Sequence, residues 1–143
     1  MKTFEDIVSG NTPCHKVWED DRHLAFLNLR PIRPGHVIVI PKKVWSYLFD
    51  MPEREYHALW ESARTVAELM RERLDCERVC LAVVGWEVRH AHIHLVPTDR
   101  SGEFPALPGK EASAQDLGQM AAKLRPRDPE SPASHRSGAR KRS

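Results

Sequence analysis

A chain of 143 residues with 41% hydrophobic and 29% charged side chains is long enough to bury the core of one domain, and a formal charge of +2 gives no field that marks a nucleic-acid binder. The charge is uneven: residues 126–143 carry five basic side chains against two acidic ones, so the rest of the chain is close to neutral. No apolar run approaches the ~20 residues of a membrane span, and Glu5 and Asp6 sit where a secretory signal would be apolar, so the expectation is a cytoplasmic protein with no membrane or specific nucleic-acid partner.

In chain order, "KVWED" (16–20) and "HLAFLN" (23–28) read as two short strands joined by the polar turn Asp20-Asp21-Arg22. "RPIRPGH" (30–36), with two prolines and a glycine, reads as a rigid loop. "VIVIP" (37–41) opens with an unbroken β-branched run, which suits a buried central strand. Asp50 and Glu53 then predict a capping box, with Pro52 in the first turn of a long helix whose core stripe is Leu59, Ala63, Val66, Ala67, Met70 and Leu74. "RVCLAVVG" (78–85) predicts another buried strand, and after Gly85 a further strand runs to Pro97. Ser113 and Asp116 cap a short helix with an apolar stripe at Leu117, Met120, Ala121 and Leu124. From Pro126 onward the composition is Pro, Ser, Arg and Gly, too poor in apolar surface to offset its ordering entropy, and a disordered basic tail is expected. One domain over residues 1–125, with a core at 4–105 and the short helix after it, is the resulting layout. Cys14, Cys76 and Cys80 form no C-x-x-C pair and read as reduced, partly buried thiols.

The chemistry concentrates in "VRHAHIHLVP" (88–97). On a strand His90, His92 and His94 share one face, roughly 6.5–7 Å apart from the per-residue rise, while Ala91, Ile93 and Leu95 share the other. Three readings fit such a row. An H-x-H pair is half of a zinc site, with Glu87 or His36 as further candidate ligands. Alternatively, a neutral imidazole is a nucleophile toward phosphorus if one ring nitrogen is held as N–H and the other is left bare, with flanking rings to stabilise charge. The third reading is a strand of satisfied structural histidines.

"HAHIHLV" (90–96) resembles the signature of the histidine-triad (HIT) superfamily of nucleotide hydrolases and transferases. "PGHVIVIPKK" (34–43), "VWEDDRHLAFLNL" (17–29) and "FEDIVSGNTP" (4–13) resemble further family segments in the same order, so the resemblance spans roughly residues 4–125. It implies an α+β fold: a five-stranded antiparallel sheet with one long helix and a short C-terminal helix. It also implies a homodimer and no cofactor or metal. By the same resemblance His92 is the nucleophile toward the α-phosphorus of an AMP- or GMP-linked purine nucleotide, giving a nucleotidyl-histidine that water hydrolyses. His94 would contact the phosphate and leaving group, and His90 and His36 would complete the hydrogen-bond network. Asn28 matches the ribose position, and Phe4, Ile7, Phe26 and Leu29 match apolar positions around the base.

Two features depart from the family pattern. Asn28 replaces the Asp of many phosphoramidate hydrolases and resembles the dinucleoside-polyphosphate branch. Before the triad, Trp86 and Glu87 stand where a longer loop with Gln and a hydroxyl residue is expected, so that a strand runs straight through "VVGWEVRH" and its parity sets Glu87 on the face opposite the histidines. Trp86 and Glu87 are therefore candidate leaving-group contacts. The expected activity is hydrolysis at the α-phosphate of a phosphoramidate, acyl adenylate or dinucleoside polyphosphate. The alternatives are a nucleotide-binding regulatory module with little turnover and a metal-dependent hydrolase.

Overall fold

The computed structural model describes residues 3–105 and 109–126. The chain divides into two compact units, Met1–Pro105 and Ala106–Ser143. The first holds helix α1 (Phe4–Ser9), strands β1 (Lys16–Glu19), β2 (His23–Leu27) and β3 (Val37–Pro41), helix α2 (Glu53–Leu74), and strands β4 (Arg78–Ala82) and β5 (Ile93–Thr98); the second holds helix α3 (Ala114–Leu124). The strands form one antiparallel sheet in the order β1-β2-β3-β5-β4. This is the expected α+β architecture, with the long helix and the short C-terminal one.

The unbroken apolar run of β3 follows from its place at the centre of the sheet. Val37 and Val39 pack with Ala25, Ile93 and Leu95 against Leu59, Ala63, Val66 and Met70 of α2. Ile38 and Ile40 point the other way, with Leu24 and Phe26, against Phe4, Ile7 and Val8 of α1. Both faces are covered, so no polar alternation is needed. Each fully buried aliphatic side chain of this kind contributes about 1.5–3 kcal/mol. α1 is short, and its start is fixed by a capping box: the Thr3 hydroxyl accepts the Asp6 N–H at 3.1 Å and the Asp6 carboxylate accepts the Thr3 N–H at 3.2 Å.

Several local expectations fail for identifiable reasons. Asp50 does not cap α2: it lies in a 3-10 turn (Leu48–Asp50), and the N-cap is Pro52, which makes no side-chain cap bond. Asp50 is therefore two residues too early to reach the free N–H groups of the first turn. β4 is not a buried strand but the edge of the sheet, half-buried and ending at Ala82. Residues 83–92 lie outside any strand, so the chain does not run straight into the triad, and β5 begins at Ile93 and ends at Thr98, one residue beyond Pro97. The break starts at Val83, and within it Gly85 takes a φ of +81°, in the left-handed region, which does not suit a pleated strand. Leu74, the last residue of α2, is half-exposed rather than core.

In the second unit Ser113 caps α3 as expected, its hydroxyl accepting the Asp116 N–H at 3.0 Å. Leu117, Met120 and Leu124 on that helix are exposed within the described residues. Beyond Pro126 the expected basic tail lies outside the described residues. The three cysteines are free, Cys76 buried and Cys14 and Cys80 half-buried. No described helix is long and apolar enough to cross a membrane.

Candidate active site

The histidine row keeps its alternation although the strand starts late. Ala91, Ile93 and Leu95 enter the core under α2. His94 pairs across the sheet with Ile38, and the Phe4 ring of α1 stands edge-on to His90 and His92, with centroids 5.5 and 5.1 Å away, so the histidines lie on the α1 face. His36 joins them from the loop before β3, its ring centroid 5.1 Å from that of His94, which is 4.9 Å from that of His92. His36, His90 and His92 are buried and His94 is half-buried.

Gly35 makes this approach possible. It adopts a φ of +94°, and a Cβ on it would stand 2.9 Å from Leu74 Cδ1 and 3.2 Å from Pro97 Cγ. The Pro-Gly-His turn thus lies close against the end of α2 and β5, and the next residue turns its ring into the row.

Hydrogen-bond partners assign the tautomers. The ring nitrogen His90 Nε2 lies 2.7 Å from the Pro41 carbonyl, and His92 Nδ1 lies 2.7 Å from the His90 carbonyl. A carbonyl accepts and never donates, so both nitrogens carry hydrogen. His92 Nε2 is then left with a bare lone pair. The Ile32 N–H donates to His36 Nδ1 at 3.0 Å, which puts the hydrogen of neutral His36 on Nε2, donated in turn to His94 Nδ1 at 2.9 Å. His94 keeps Nε2–H free to donate. Asn28 Nδ2 sits 3.3 Å from His36 Nε2, but both carry hydrogen in this arrangement, and the Asn28 carbonyl oxygen is engaged by the Arg30 N–H at 2.8 Å.

Burial pushes the His36, His90 and His92 rings below the ordinary imidazole range. Burial, with the neighbouring His92 and His36, brings His94 down to about 4. The four rings are neutral at pH 7, as a lone-pair nucleophile requires. Among the described residues no group of three or more His, Cys, Asp or Glu is arranged to hold a metal ion. The lone pairs of His36 Nδ1 and His94 Nδ1 are already taken by N–H donors.

A cleft of about 810 Å³ is lined by none of the four histidines but reaches the row through Phe4, edge-on to His90 and His92, and Asn28, beside His36. Phe4, Ile7, Phe26, Asn28 and Leu29, all singled out from the sequence, line it together. Its walls are mostly apolar, and Asn28 is the half-buried polar side chain beside His36. Val88, Cys14 and Ile38 also line it, and the sequence reasoning passed over them. Cys14 was legible only as a reduced, partly buried thiol and Ile38 as part of a buried strand, and Val88 lies in the 83–92 segment outside any strand. A second cleft of about 340 Å³ is lined by His92, Phe49, Trp60, Val84 and Gly85 among others.

Trp86 and Glu87 line neither cleft. The parity expected to turn Glu87 away does not apply, because no strand passes through it; Glu87 is exposed on a bend. Trp86 is 70% exposed and carries the Arg89 guanidinium over its ring at 5.4 Å.

Comparison with known proteins fits this geometry. Residues 9–101 match the sequence model of a family described as the HIT domain. The chain is 29% identical over 126 residues to an adenosine 5'-monophosphoramidase of Saccharomyces cerevisiae, a match covering 85% of this chain and 78% of that one. It is 33% identical over 78 residues to a bis(5'-adenosyl)-triphosphatase of Dictyostelium discoideum, which takes in 51% of this chain and 52% of the relative. Among solved structures, a Streptococcus mutans protein superposes with a TM-score of 0.75 at 30% identity, over 85% of this chain and 81% of that one.

Proposed function

Because the chain belongs to the HIT, or histidine-triad, family, we propose that it is a nucleotide hydrolase that cleaves at the α-phosphate of a purine nucleotide derivative through a nucleotidyl group carried on His92. The observation that carries this reading is the His92 tautomer: Nδ1–H held by the His90 carbonyl at 2.7 Å, Nε2 bare. Relatives named as an adenosine 5'-monophosphoramidase and a bis(5'-adenosyl)-triphosphatase support nucleotide hydrolysis as the activity class.

The base lies in the apolar cleft among Phe4, Ile7, Phe26 and Leu29, and Asn28 meets the ribose hydroxyls. The Nε2 lone pair of His92 attacks the α-phosphorus. The Nε2–P bond forms, the bond from phosphorus to the leaving group breaks, and the leaving group takes that electron pair. The positive charge gained by the His92 ring is stabilised through Nδ1–H by the His90 carbonyl, which is itself set in place by the bond from His90 to Pro41. His94 Nε2–H donates to the phosphate oxygens and the departing atom, stabilising charge in the transition state. Water then attacks phosphorus, the Nε2–P pair returns to the ring, and a water proton passes to solvent. No metal enters either step. A homodimer is part of the proposal: the outer edge of β4 has no partner strand among the described residues, and Leu81, Val84 and Phe49 are exposed near it. Sedimentation velocity tests it.

The deciding assay is a hydrolysis screen of nucleoside phosphoramidates, dinucleoside polyphosphates and acyl adenylates with wild type and His92→Ala. Turnover of at least one class that His92→Ala loses supports the reading; undiminished turnover in the variant overturns it.

A further inference from the structure

Lys42, Lys43 and the β1–β2 turn take no part in the chemistry above, yet they meet in a cleft of their own. It has a volume of about 520 Å³ and lies between that turn, the end of β3 and the first turns of α2. Arg22, Lys42, Lys43 and Arg54 line it.

Two of these cations are already engaged. Lys42 Nζ pairs with Glu19 at 2.6 Å, and Lys43 Nζ lies 5.0 Å from the centre of the Trp45 ring. Arg22 and Arg54 have no carboxylate partner among the described residues. The lining holds two carboxylates against these four cations, Asp21 and Glu55, and Glu55 accepts the Trp45 indole N–H at 2.8 Å.

The floor holds a second, independent feature. The His23 side chain is 7% exposed and lines the cleft. Its Nδ1 lies 3.0 Å from the Asp20 carboxylate, which also accepts the His23 and Arg22 backbone N–H groups. Nδ1 therefore carries hydrogen and the ring is locked in place, while Nε2 has no hydrogen-bond partner among the described residues. A buried imidazole with one nitrogen clamped and the other unpaired, ringed by two unpaired guanidiniums and two ammoniums, is built to meet a tetrahedral oxyanion. His23 Nε2 serves a phosphate in either state: as a lone pair it accepts the P–OH of a monoanion, and as N–H it donates to a dianion. Sulfate, which carries no proton near neutrality, can use only the second.

We propose that this cleft is a second ligand site, separate from the nucleotide cleft, that binds a phosphate group through Arg22, Arg54 and His23. The volume leaves room for an esterified sugar as well as the phosphate itself. Pro41 ties the site to the triad, since it lines this cleft and its carbonyl holds His90 Nε2–H.

The test is an amide NMR titration of the full chain with sodium phosphate, sodium chloride keeping ionic strength constant. The expected result is a saturable shift at Arg22, His23, Lys42, Lys43 and Arg54, with a midpoint on the order of 1 mM, a modest affinity for a site of few contacts. The shift persists in His92→Ala, which separates it from phosphate in the nucleotide cleft. Arg22→Ala/Arg54→Ala, two changes at exposed side chains, raises the midpoint at least about tenfold, the scale of losing charge-assisted hydrogen bonds. His23→Gln weakens binding while its amide spectrum stays folded. Ribose 5-phosphate binding more tightly than inorganic phosphate identifies an ester as the ligand, and equal binding identifies free phosphate. Shifts that never saturate, or a midpoint unchanged in the double arginine variant, overturn the proposal.

Discussion

His36 donates its Nε2–H to Nδ1 of His94 across 2.9 Å, although the two residues are 58 positions apart. That bond selects the His94 tautomer with hydrogen on Nε2, the donor the proposed chemistry needs at the departing atom. Replacing His36 by Ala leaves the Ile32 N–H and His94 Nδ1 without partners. The expected loss in kcat/KM is about 10–100-fold, the rate equivalent of the ~1–3 kcal/mol of an orphaned buried hydrogen bond. His36→Gln, which offers both an acceptor and a donor, recovers part of it. Steady-state kinetics on an AMP-linked substrate reads both variants, and an unchanged rate in His36→Ala contradicts the role.

Asn28 is expected to act on binding more than on chemistry. Its side-chain oxygen is fixed by the Arg30 N–H at 2.8 Å, and the residue lines the cleft of about 810 Å³ beside His36. Asn28→Ala raises KM about tenfold with a smaller change in kcat, the worth of one or two hydrogen bonds. The variant also loses discrimination between ribose and 2',3'-dideoxyribose substrates. Equal KM for the two sugars in wild type is the outcome that removes Asn28 from ribose recognition.

The pH dependence follows from the direction of the shifts. The folded-state pKa values of His36, His90, His92 and His94 all lie below the ordinary value of 6.5, His94 at about 4. The unfolded chain therefore binds more protons than the folded one in the acid range. Stability is fully present above about pH 6.5 and falls as the pH drops toward 4, by about 1–3 kcal/mol for the His94 shift alone. Urea denaturation at a series of pH values measures this. Hydrolysis should be flat from pH 8 to about 6 with its loss on the acid side, where the rings take up protons. A rate that rises on acidification through pH 6 points to a protonated histidine as the working form.

Gly35→Ala tests the turn that delivers His36. A Cβ there meets Leu74 Cδ1 at 2.9 Å and must adopt a φ of +94°. Strain and clash together should cost about 1–3 kcal/mol, seen as a lowered midpoint of thermal unfolding. Activity should fall as well, since the loop no longer holds His36 against His94.

How much of this was legible in the sequence depends on the element. Period-two alternation in "HAHIHLV" gave the two faces correctly, because Ala91, Ile93 and Leu95 must bury whether or not their backbone is hydrogen-bonded as a strand. The β-branched run of β3 announced a strand covered on both faces. The same cue misled at β4: "VCLAV" reads as interior but is an edge strand, since apolar content alone does not show where a strand sits in the sheet. Within the break at 83–92 Gly85 takes a positive φ, which the residue type permits but does not dictate. Asp50 matched the capping spacing, yet Pro52 took the N-cap. The grouping was readable, in that Phe4, Ile7, Phe26, Asn28 and Leu29 line one cleft and the four histidines come together. The tautomers were not, because Pro41, Ile32 and the His90 carbonyl act through backbone atoms that any residue could supply.

The covalent role of His92 is tested most directly by intact-protein mass spectrometry of wild type and His92→Ala, mixed with an AMP amide or a dinucleoside polyphosphate and quenched under alkaline conditions that preserve a phosphorus–nitrogen bond. The account predicts a transient mass increase of one nucleoside monophosphate in wild type, mapped to His92 by peptide analysis and absent from the variant. Turnover with no adduct at any time point, or an adduct on another residue, would contradict it, and tight AMP binding with neither adduct nor turnover would identify a nucleotide-binding regulatory module instead.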